Sequence, residues 1–336
     1  MRAVILGCSG QALTPDETAF YKGVNPWGFI LFKRNIENPQ QVRALCSALR
    51  DITGRDDTPI LIDQEGGRVQ RMGPPHWASY PAGRSYGDIY SRDEALGLEA
   101  ARIGARLIAA DLHDVGINVD CLPVLDVPVP GAHDVIGHRA YGLEPKIVSD
   151  LGGAAAEGVL SGGVLPIIKH IPGHGRAAVD SHLSLPVVEN PRTDLEQDFE
   201  PFRALAGMPM AMTAHVIYSA IDADNPATTS KTVISEIIRG HIGFDGLLMS
   251  DDVSMQALSG NLADRARQSI AAGCDVVLHC NGLMEEMKAV VGEVPSLEGK
   301  AALRAEKALK RIAGGPDKAD IAALRARFEQ LFAPLA

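Results

Sequence analysis

The chain has 336 residues, of which 46% are apolar and 22% are charged, a composition typical of a soluble globular enzyme. Its formal net charge of −10 argues against binding to nucleic acid or to anionic membranes, because both require a basic surface. Five scattered cysteines without a CxxC pair indicate reduced, buried thiols, and no stretch reaches the roughly 18 apolar residues of a membrane span. We therefore expect a cytoplasmic protein.

Short apolar runs recur along the chain and predict β-strands that are covered on both faces, as in a parallel sheet. The first run, AVILG, is interpreted as a strand because it is too short for the apolar region of a secretory signal. The eight runs cover residues 3–7, 27–32, 59–64, 118–126, 163–170, 210–215, 246–252 and 275–280.

Between these runs, apolar residues recur every three or four positions, which predicts helices over 39–52, 92–116, 146–160, 230–243 and 262–274. Eight strands that alternate with helices predict an α/β fold, a single-domain (β/α)8 TIM-type barrel spanning residues 1–336. An open doubly wound sheet is the main alternative. Two further helices within 299–334 are expected to pack on the exterior of the barrel.

Polar side chains at the carboxyl ends of the predicted strands favour the barrel over the open sheet. In a barrel these ends meet at one mouth, where active sites are built. The residues are Asp63, Asp126, Lys169, His170, His215, Asp251, Asp252 and His279.

The segment KHIPGHGRAAVDSH, residues 169–182, fits three kinds of site. A metal site is disfavoured because Pro172 and the neighbouring glycines prevent the helix that would align His170 and His174. The stretch GHGRAA at 173–178 matches a dinucleotide-binding fingerprint, but no helical pattern follows it, as that fingerprint requires. A catalytic loop is the remaining interpretation.

Residues 171–190 lack any periodic pattern, and loops of this length inside compact domains are usually functional. Asp180 could orient His182, and a histidine can give a proton to a leaving group and later take one from water. An ordinary surface turn is the alternative. Of the adjacent acids Asp251 and Asp252, side-chain alternation sends at most one into the mouth, and spacing does not say which. Either could instead cap the next helix or pair with lysines.

Four motifs together resemble glycoside hydrolase family 3, and within it the single-domain bacterial β-N-acetylglucosaminidases of peptidoglycan recycling. They are IDQEGGRVQR (62–71), IGHRAYG (136–142), KHIPGHG…DSH (169–182) and GFDGLLMSDD (243–252), and the likeness extends from about residue 23 to 282. The chain departs from the family at Ile171, where phenylalanine is common. The resemblance implies a retaining exo-β-N-acetylglucosaminidase that acts on 1,6-anhydro-muropeptides. It would be a monomer that uses no cofactor and no metal, and its partner would be a small carbohydrate substrate, with no nucleic acid and no membrane.

The resemblance also implies roles for individual residues. It makes Asp251 the nucleophile and His182 the acid/base, assisted by Asp180. Histidine in place of a second carboxyl group suits a site with an anionic nucleophile. The positions that hold the terminal sugar are Asp63, Arg71, Arg139, Lys169 and His170.

Several points stay open from the sequence. For Arg71 and Arg139 a structural salt bridge is the alternative to sugar binding. His174 is better suited to bracing the loop than to reacting, although a direct role remains open. His215 either lines the sugar pocket or is a buried histidine with its hydrogen bonds satisfied.

Three other functions remain as alternatives. The wider family includes β-glucosidases and β-xylosidases, and the sequence does not reveal which group faces the sugar's 2-position. A metal-dependent barrel hydrolase and a non-catalytic sugar-binding protein come from other classes. Two tryptophans and 5% aromatic residues favour a pocket for one terminal sugar over a long cleft.

Overall fold

The computed structural model describes residues 1–179, 181 and 184–333. Eight parallel strands form a closed barrel in which each strand pairs with its neighbours in chain order and the last pairs with the first. The predicted (β/α)8 barrel is confirmed, and the closure excludes the open sheet. The barrel strands are Arg2–Gly7, Pro26–Leu31, Ile60–Ile62, Val119–Asp120, Leu165–Ile171, Met210–Thr213, Leu247–Asp252 and Val276–His279.

Two small sheets lie outside the barrel. Gln64–Gly66 pairs with Val69–Gln70 in an antiparallel hairpin directly after the third barrel strand. Val187–Val188 pairs with Ile217–Tyr218 in parallel, and this ties the end of the predicted 171–190 loop to the segment after the sixth barrel strand.

Helices fill the connections between the strands. The described α-helices are Pro15–Val24, Pro39–Thr53, Gly83–Tyr90, Glu94–Asp114, Pro145–Ser161, Glu196–Ala204, Leu262–Ala272, Met284–Glu293, Gly299–Lys310 and Ile321–Phe332. Short 3-10 turns cover Lys33–Asn35, Gly137–Arg139 and Ala227–Thr229. Periodicity does not predict four of the helices, because each has only eight to ten residues. Pro15–Val24, for example, buries only Glu17 and Tyr21, which is too short an apolar stripe to recognise.

The helix predicted over 230–243 is a π-helix, Val233–His241. Its wider turn is visible at its end, where the N–H of Ile242 donates to the carbonyl of Ile237, five residues earlier, at 2.8 Å. The apolar face is nevertheless the predicted one, because Val233 and Ile238 are buried in the layer between the barrel and the helices.

Apolar side chains fill the barrel interior below the mouth, among them Ile5, Ile167 and Met249. The tail helix Gly299–Lys310 adds Ala305 and Ala308 to this interior cluster. Its Arg304 pairs at 3.0 Å with Asp275, which directly precedes the eighth strand. This helix therefore covers the amino-terminal end of the barrel, opposite the mouth. The second tail helix lies elsewhere, with Phe328 tilted against Tyr86 at a ring distance of 6.3 Å.

All five cysteines are buried and free of disulfides, as their spacing predicts. Among the described helices, none combines the length and the apolar character that crossing a membrane requires.

Candidate active site

A cavity of about 310 Å³ lies at the carboxyl ends of the barrel strands. The barrel closure brings to it residues that are far apart in sequence, from the position directly after the third strand, from the fifth and seventh strands and from two connecting segments. All five predicted sugar-holding residues and the predicted nucleophile line it: Asp63, Arg71, Arg139, Lys169, His170 and Asp251. The predicted acid/base His182 and its partner Asp180 lie outside the described residues.

Asp63 is held between two cations. Its Oδ1 lies 3.0 Å from Nζ of Lys169 and its Oδ2 lies 2.9 Å from Nη2 of Arg71. Burial raises the pKa of the Asp63 carboxyl, but Lys169 and Arg71 outweigh it and hold that pKa well below its usual range. Asp63 is therefore an anion at neutral pH, and its oxygens are oriented by their partners.

Glu65 is a site residue that the sequence analysis missed. Its carboxylate accepts two hydrogen bonds from Arg139, at 2.7 and 2.8 Å, and lies 2.6 Å from Nζ of Lys169. Burial opposes ionisation, yet Arg139 and Lys169 lower the pKa of Glu65 to about 2. The signal that could have found it is its spacing from Asp63, since residues two apart in an extended segment face the same side.

Lys169 connects the two carboxylates of this network. It is 2% exposed, and burial alone would lower its pKa, but Asp63 and Glu65 outweigh this and raise that pKa above the usual range, so the ammonium stays charged. Arg71 also lies over the ring of Phe32, 5.2 Å from its centroid. Both arginines thus form the salt bridges that were considered as alternatives to sugar binding, while they also border the cavity. The two roles are compatible, because a guanidinium has five N–H donors.

Asp126, which is fully buried in the segment after the fourth strand, orients His170. Its Oδ2 lies 2.7 Å from His170 Nδ1, and its Oδ1 accepts from the backbone N–H groups of His170 and His174 at 3.2 and 2.7 Å. Although burial alone would raise it, the pKa of Asp126 is lowered to about 2, because His170 and His174 favour the anion. An ionised carboxylate only accepts hydrogen bonds, so Nδ1 of His170 carries a proton.

His174 connects this region to the loop. Its Nε2 lies 3.0 Å from Oγ of Ser181, and both residues are buried and line the cavity. Burial, together with the nearby His170, lowers the pKa of His174 to about 4. The side chain is therefore neutral at physiological pH and contacts the loop, the arrangement expected of a bracing residue.

Asp251 and Asp252 both border the cavity, whereas alternation predicts that only one does so. A register shift between Met249 and Asp252 interrupts the regular alternation at the end of the seventh strand. The hydrogen bonds still distinguish the two acids. The carboxylate of Asp252 accepts from the N–H and hydroxyl of Ser254, at 3.0 and 2.6 Å, and from the N–H of Cys280, at 3.3 Å.

Asp251 differs because its carboxylate is contacted by its own neighbour. The backbone N–H of Asp252 donates to Oδ1 of Asp251 at 2.8 Å, and the N–H of Asp251 is 3.4 Å from Oγ1 of Thr213. Both acids border the cavity, but the hydrogen bonds of the Asp252 carboxylate hold it to the turn that follows the strand.

The two remaining strand-end histidines do not line the cavity. His215 is fully buried, with Nδ1 2.7 Å from Thr228 Oγ1 and Nε2 3.0 Å from the carbonyl of Asp252. It is a buried histidine with both nitrogens satisfied, one of the two alternatives. His279 is also fully buried, 3.4 Å from Glu286. Over the ranges that the structure describes, no three histidine, cysteine or acidic side chains are arranged to hold a metal ion.

Comparison with known proteins shows extensive similarity. Residues 22–314 match the Glycosyl hydrolase family 3 N terminal domain. The chain is 39% identical over 318 residues to a β-hexosaminidase of Alkalilimnicola ehrlichii, which covers 93% of this chain and 89% of that protein. It is 38% identical over 285 residues to a β-hexosaminidase of Bordetella avium, covering 83% and 80% of the two chains.

Two solved structures extend this similarity to three dimensions. NagZ from Neisseria gonorrhoeae, in complex with N-trifluoroacetyl-D-glucosamine, superposes with a TM-score of 0.84 and 32% identity over 99% of this chain and 97% of that one. A glycoside hydrolase family 3 β-N-acetylglucosaminidase from Paenibacillus sp. str. FPU-7 gives a TM-score of 0.86 and 29% identity, over 98% of this chain and 67% of that one.

Proposed function

The chain belongs to glycosyl hydrolase family 3 and is a β-N-acetylhexosaminidase, and from this premise we propose its substrate and mechanism. The enzyme releases terminal N-acetylglucosamine from peptidoglycan fragments, the 1,6-anhydro-muropeptides, with retention of the β configuration. The observation that supports this best is the convergence of Asp251 and the five sugar-holding residues on one cavity.

In the first step, a carboxylate oxygen of Asp251 attacks C1 of the sugar, and the bond from C1 to the leaving oxygen breaks. His182 gives its proton to that oxygen, and a covalent glycosyl ester of Asp251 forms. In the second step, His182 takes a proton from water, which attacks C1 and releases Asp251. Two inversions at C1 give net retention.

The position of Ser181 supports the role of the loop in this mechanism. Ser181 stands between Asp180 and His182 in the sequence, is buried, and lines the same cavity as Asp251.

The ion-pair network supports a role in holding the sugar. Ionised Asp63 accepts hydrogen bonds from sugar hydroxyl groups, while Lys169 and Arg71 donate them. Because these groups are already paired, they keep their positions and their charges when the sugar displaces water. The cost of ordering them on binding is therefore small.

The size and lining of the cavity support an exo-acting enzyme. About 310 Å³ lies at the lower end of the roughly 300–1,000 Å³ typical of ligand pockets. Trp27 is fully buried in the barrel interior and Trp77 is buried outside the cavity, so neither offers a stacking surface to a second sugar. Among the described lining residues, Phe32 is the only phenylalanine, tyrosine or tryptophan.

The acid at 251 gives the direct test of the mechanism. Asp251→Asn should abolish turnover of nitrophenyl β-N-acetylglucosaminide. Incubating the wild-type enzyme with a fluorinated sugar that slows the second step should give a covalent adduct, which peptide mapping should locate on Asp251. Near-normal activity of the variant, or an adduct on another side chain, would refute the assignment.

Substrate identity needs two further measurements. The activity on nitrophenyl β-N-acetylglucosaminide should exceed that on the matching glucoside and xyloside; a reversed preference would favour the β-glucosidase or β-xylosidase alternative. N-Acetylglucosamine should be released from purified 1,6-anhydro-muropeptides, as detected by mass spectrometry. An enzyme that cleaves the nitrophenyl substrate but not these fragments would contradict the peptidoglycan assignment.

Assembly and location are part of the proposal. We expect a monomer, and size-exclusion chromatography with light scattering should give the mass of one chain. Five buried free thiols are suited to a reducing compartment such as the cytoplasm. Cell fractionation should place the activity there.

A further inference from the structure

Asp251 takes part in a closed ring of hydrogen bonds, whose other three side chains lie behind the cavity wall. The ring joins the end of the sixth strand, the 227–229 turn and the end of the seventh strand. The N–H of Asp251 is 3.4 Å from Thr213 Oγ1, and that oxygen is 2.8 Å from Thr228 Oγ1. Thr228 Oγ1 is 2.7 Å from His215 Nδ1, and His215 Nε2 is 3.0 Å from the carbonyl of Asp252. The N–H of Asp252 then donates to Asp251 Oδ1 at 2.8 Å.

The proton positions in this ring follow from the chemistry of its members. A carbonyl only accepts, so Nε2 of His215 carries the proton that it donates to Asp252. Burial lowers the pKa of His215, so its imidazole is neutral. Because the imidazole proton is on Nε2, Nδ1 has none and must accept a hydrogen bond. Thr228 also lies 3.1 Å from the carbonyl of Ala214, but its single proton belongs to the closer Nδ1, which otherwise has no donor.

The remaining directions are then fixed as well. With the Thr228 proton committed to His215, the Thr228 oxygen accepts from the hydroxyl of Thr213. The Thr213 oxygen in turn accepts from the N–H of Asp251. Every donor in the ring points the same way round. Thr213, His215 and Thr228 are fully buried and do not line the cavity.

We propose that His215 is a positioning residue, an inference that rests on the proposed role of Asp251 as the nucleophile. With Thr213 and Thr228, it holds the peptides on either side of the one between Asp251 and Asp252, through the N–H of Asp251 and the carbonyl of Asp252. The peptide between these two anchors carries the N–H that holds Oδ1 of Asp251, so its rotation would release the carboxylate. Attack at C1 depends on the position of this group, and a misplacement of about 1 Å can cost roughly a hundredfold in rate.

The test compares two replacements of His215. His215→Leu removes both nitrogens and should lower kcat about a hundredfold, while the inhibition constant of N-acetylglucosamine stays within about twofold, since the side chain of His215 does not line the cavity. His215→Gln keeps an amide N–H able to reach the Asp252 carbonyl and should recover at least about tenfold of the lost kcat. A purely structural role would predict no such selective recovery.

If His215→Leu does not fold, a second variant at Thr228 tests the same inference, with Thr229→Val as its matched control. Thr228→Val removes the donor to Nδ1 with almost no change in shape and should also lower kcat with unchanged inhibitor affinity. Thr229→Val changes the adjacent hydroxyl, whose bond to Pro226 at 3.4 Å is local, and should leave kcat unchanged.

The inference fails if the folded variants keep wild-type kcat, if kcat and inhibitor affinity fall together, or if His215→Gln is no better than His215→Leu. Its failure is distinguishable from failure of the proposed function. An inactive Asp251→Asn variant beside a fully active His215→Leu variant would overturn the positioning role alone. An active Asp251→Asn variant would overturn the nucleophile assignment itself.

Discussion

Nζ of Lys169 lies 3.0 Å from Oδ1 of Asp63, although 106 positions separate the two residues in the chain. The pair forms because Asp63 directly follows the third barrel strand and Lys169 lies near the end of the fifth. Lys169 contacts Glu65 as well, and it is the buried cation between buried Glu65 and partly buried Asp63. The ion pairs at the mouth are therefore part of the fold and of the site at once.

Removing this cation should destabilise the protein strongly. Lys169→Met leaves buried Glu65 and partly buried Asp63 without one of their counter-ions, and breaking a buried pair from one side costs about 3–5 kcal/mol. Urea denaturation of wild type and variant measures the loss in the free energy of unfolding.

Lys288→Met is the matched control for this prediction. Lys288 pairs with Glu285 at 2.8 Å on the surface, where both side chains are more than half exposed, so its loss should cost no more than about 1 kcal/mol. Equal stabilities of the two variants would contradict the interpretation of the Lys169 network.

His174 should make stability depend on pH. The pKa of its folded-state imidazole is about 4, below the ordinary value of 6.5, so the unfolded chain binds a proton between these pH values and the folded protein does not. The stabilisation from neutral His174 is full above pH 6.5 and is lost as the pH falls to 4, by up to about 3 kcal/mol.

The difference between wild type and His174→Gln isolates this effect, because all other titrating groups are shared. The stability of wild type relative to the variant should fall as the pH is lowered from 6.5 to 4 and then level off. Denaturation at a series of pH values measures it. A difference that stays constant with pH would show that His174 does not titrate as the structure indicates.

The adjacent acids at 251 and 252 should respond in opposite ways to the same substitution. Asp252→Asn weakens the hydrogen bonds to Ser254 and Cys280 and should lower the free energy of unfolding by about 1–3 kcal/mol while turnover persists. Asp251→Asn should abolish turnover with a smaller loss of stability. Thermal unfolding and the chromogenic assay, applied to both variants, test the assignment. Loss of turnover in Asp252→Asn alone would reverse it.

The effect of replacing His182 should depend on the leaving group. In His182→Ala, kcat/KM for a sugar leaving group should fall by about 10²–10⁴, the usual contribution of a general acid. The loss should be much smaller for nitrophenyl N-acetylglucosaminide, because nitrophenolate departs without a proton. Comparing kcat/KM on both substrates measures this. Equal losses would reject His182 as the proton donor.

The sequence predicts much of the site because of one geometric rule. The carboxyl ends of parallel strands meet at the mouth of a barrel, so polar residues at those ends are expected to be neighbours. On this basis Asp63, Lys169, His170 and Asp251 can be placed near one another without a structure. The structure brings all four to one cavity.

Other features depend on contacts that no local pattern encodes. The pairing of Glu65 with Arg139 joins residues 74 positions apart, and it arises only when the segment after the third strand meets the 3-10 turn at Gly137–Arg139. The different environments of Asp251 and Asp252 depend on a register shift between strands, which regular alternation cannot predict.

By itself, the sequence determined the barrel, the order of its strands and the chemical groups that stand at their ends, because these follow from periodicity along the chain. Only the tertiary structure decided which acid pairs with which cation, that Asp252 bonds to the turn after its strand, and that His215 lies behind the cavity wall. These are distances between segments far apart in the chain, and barrel closure and packing set them.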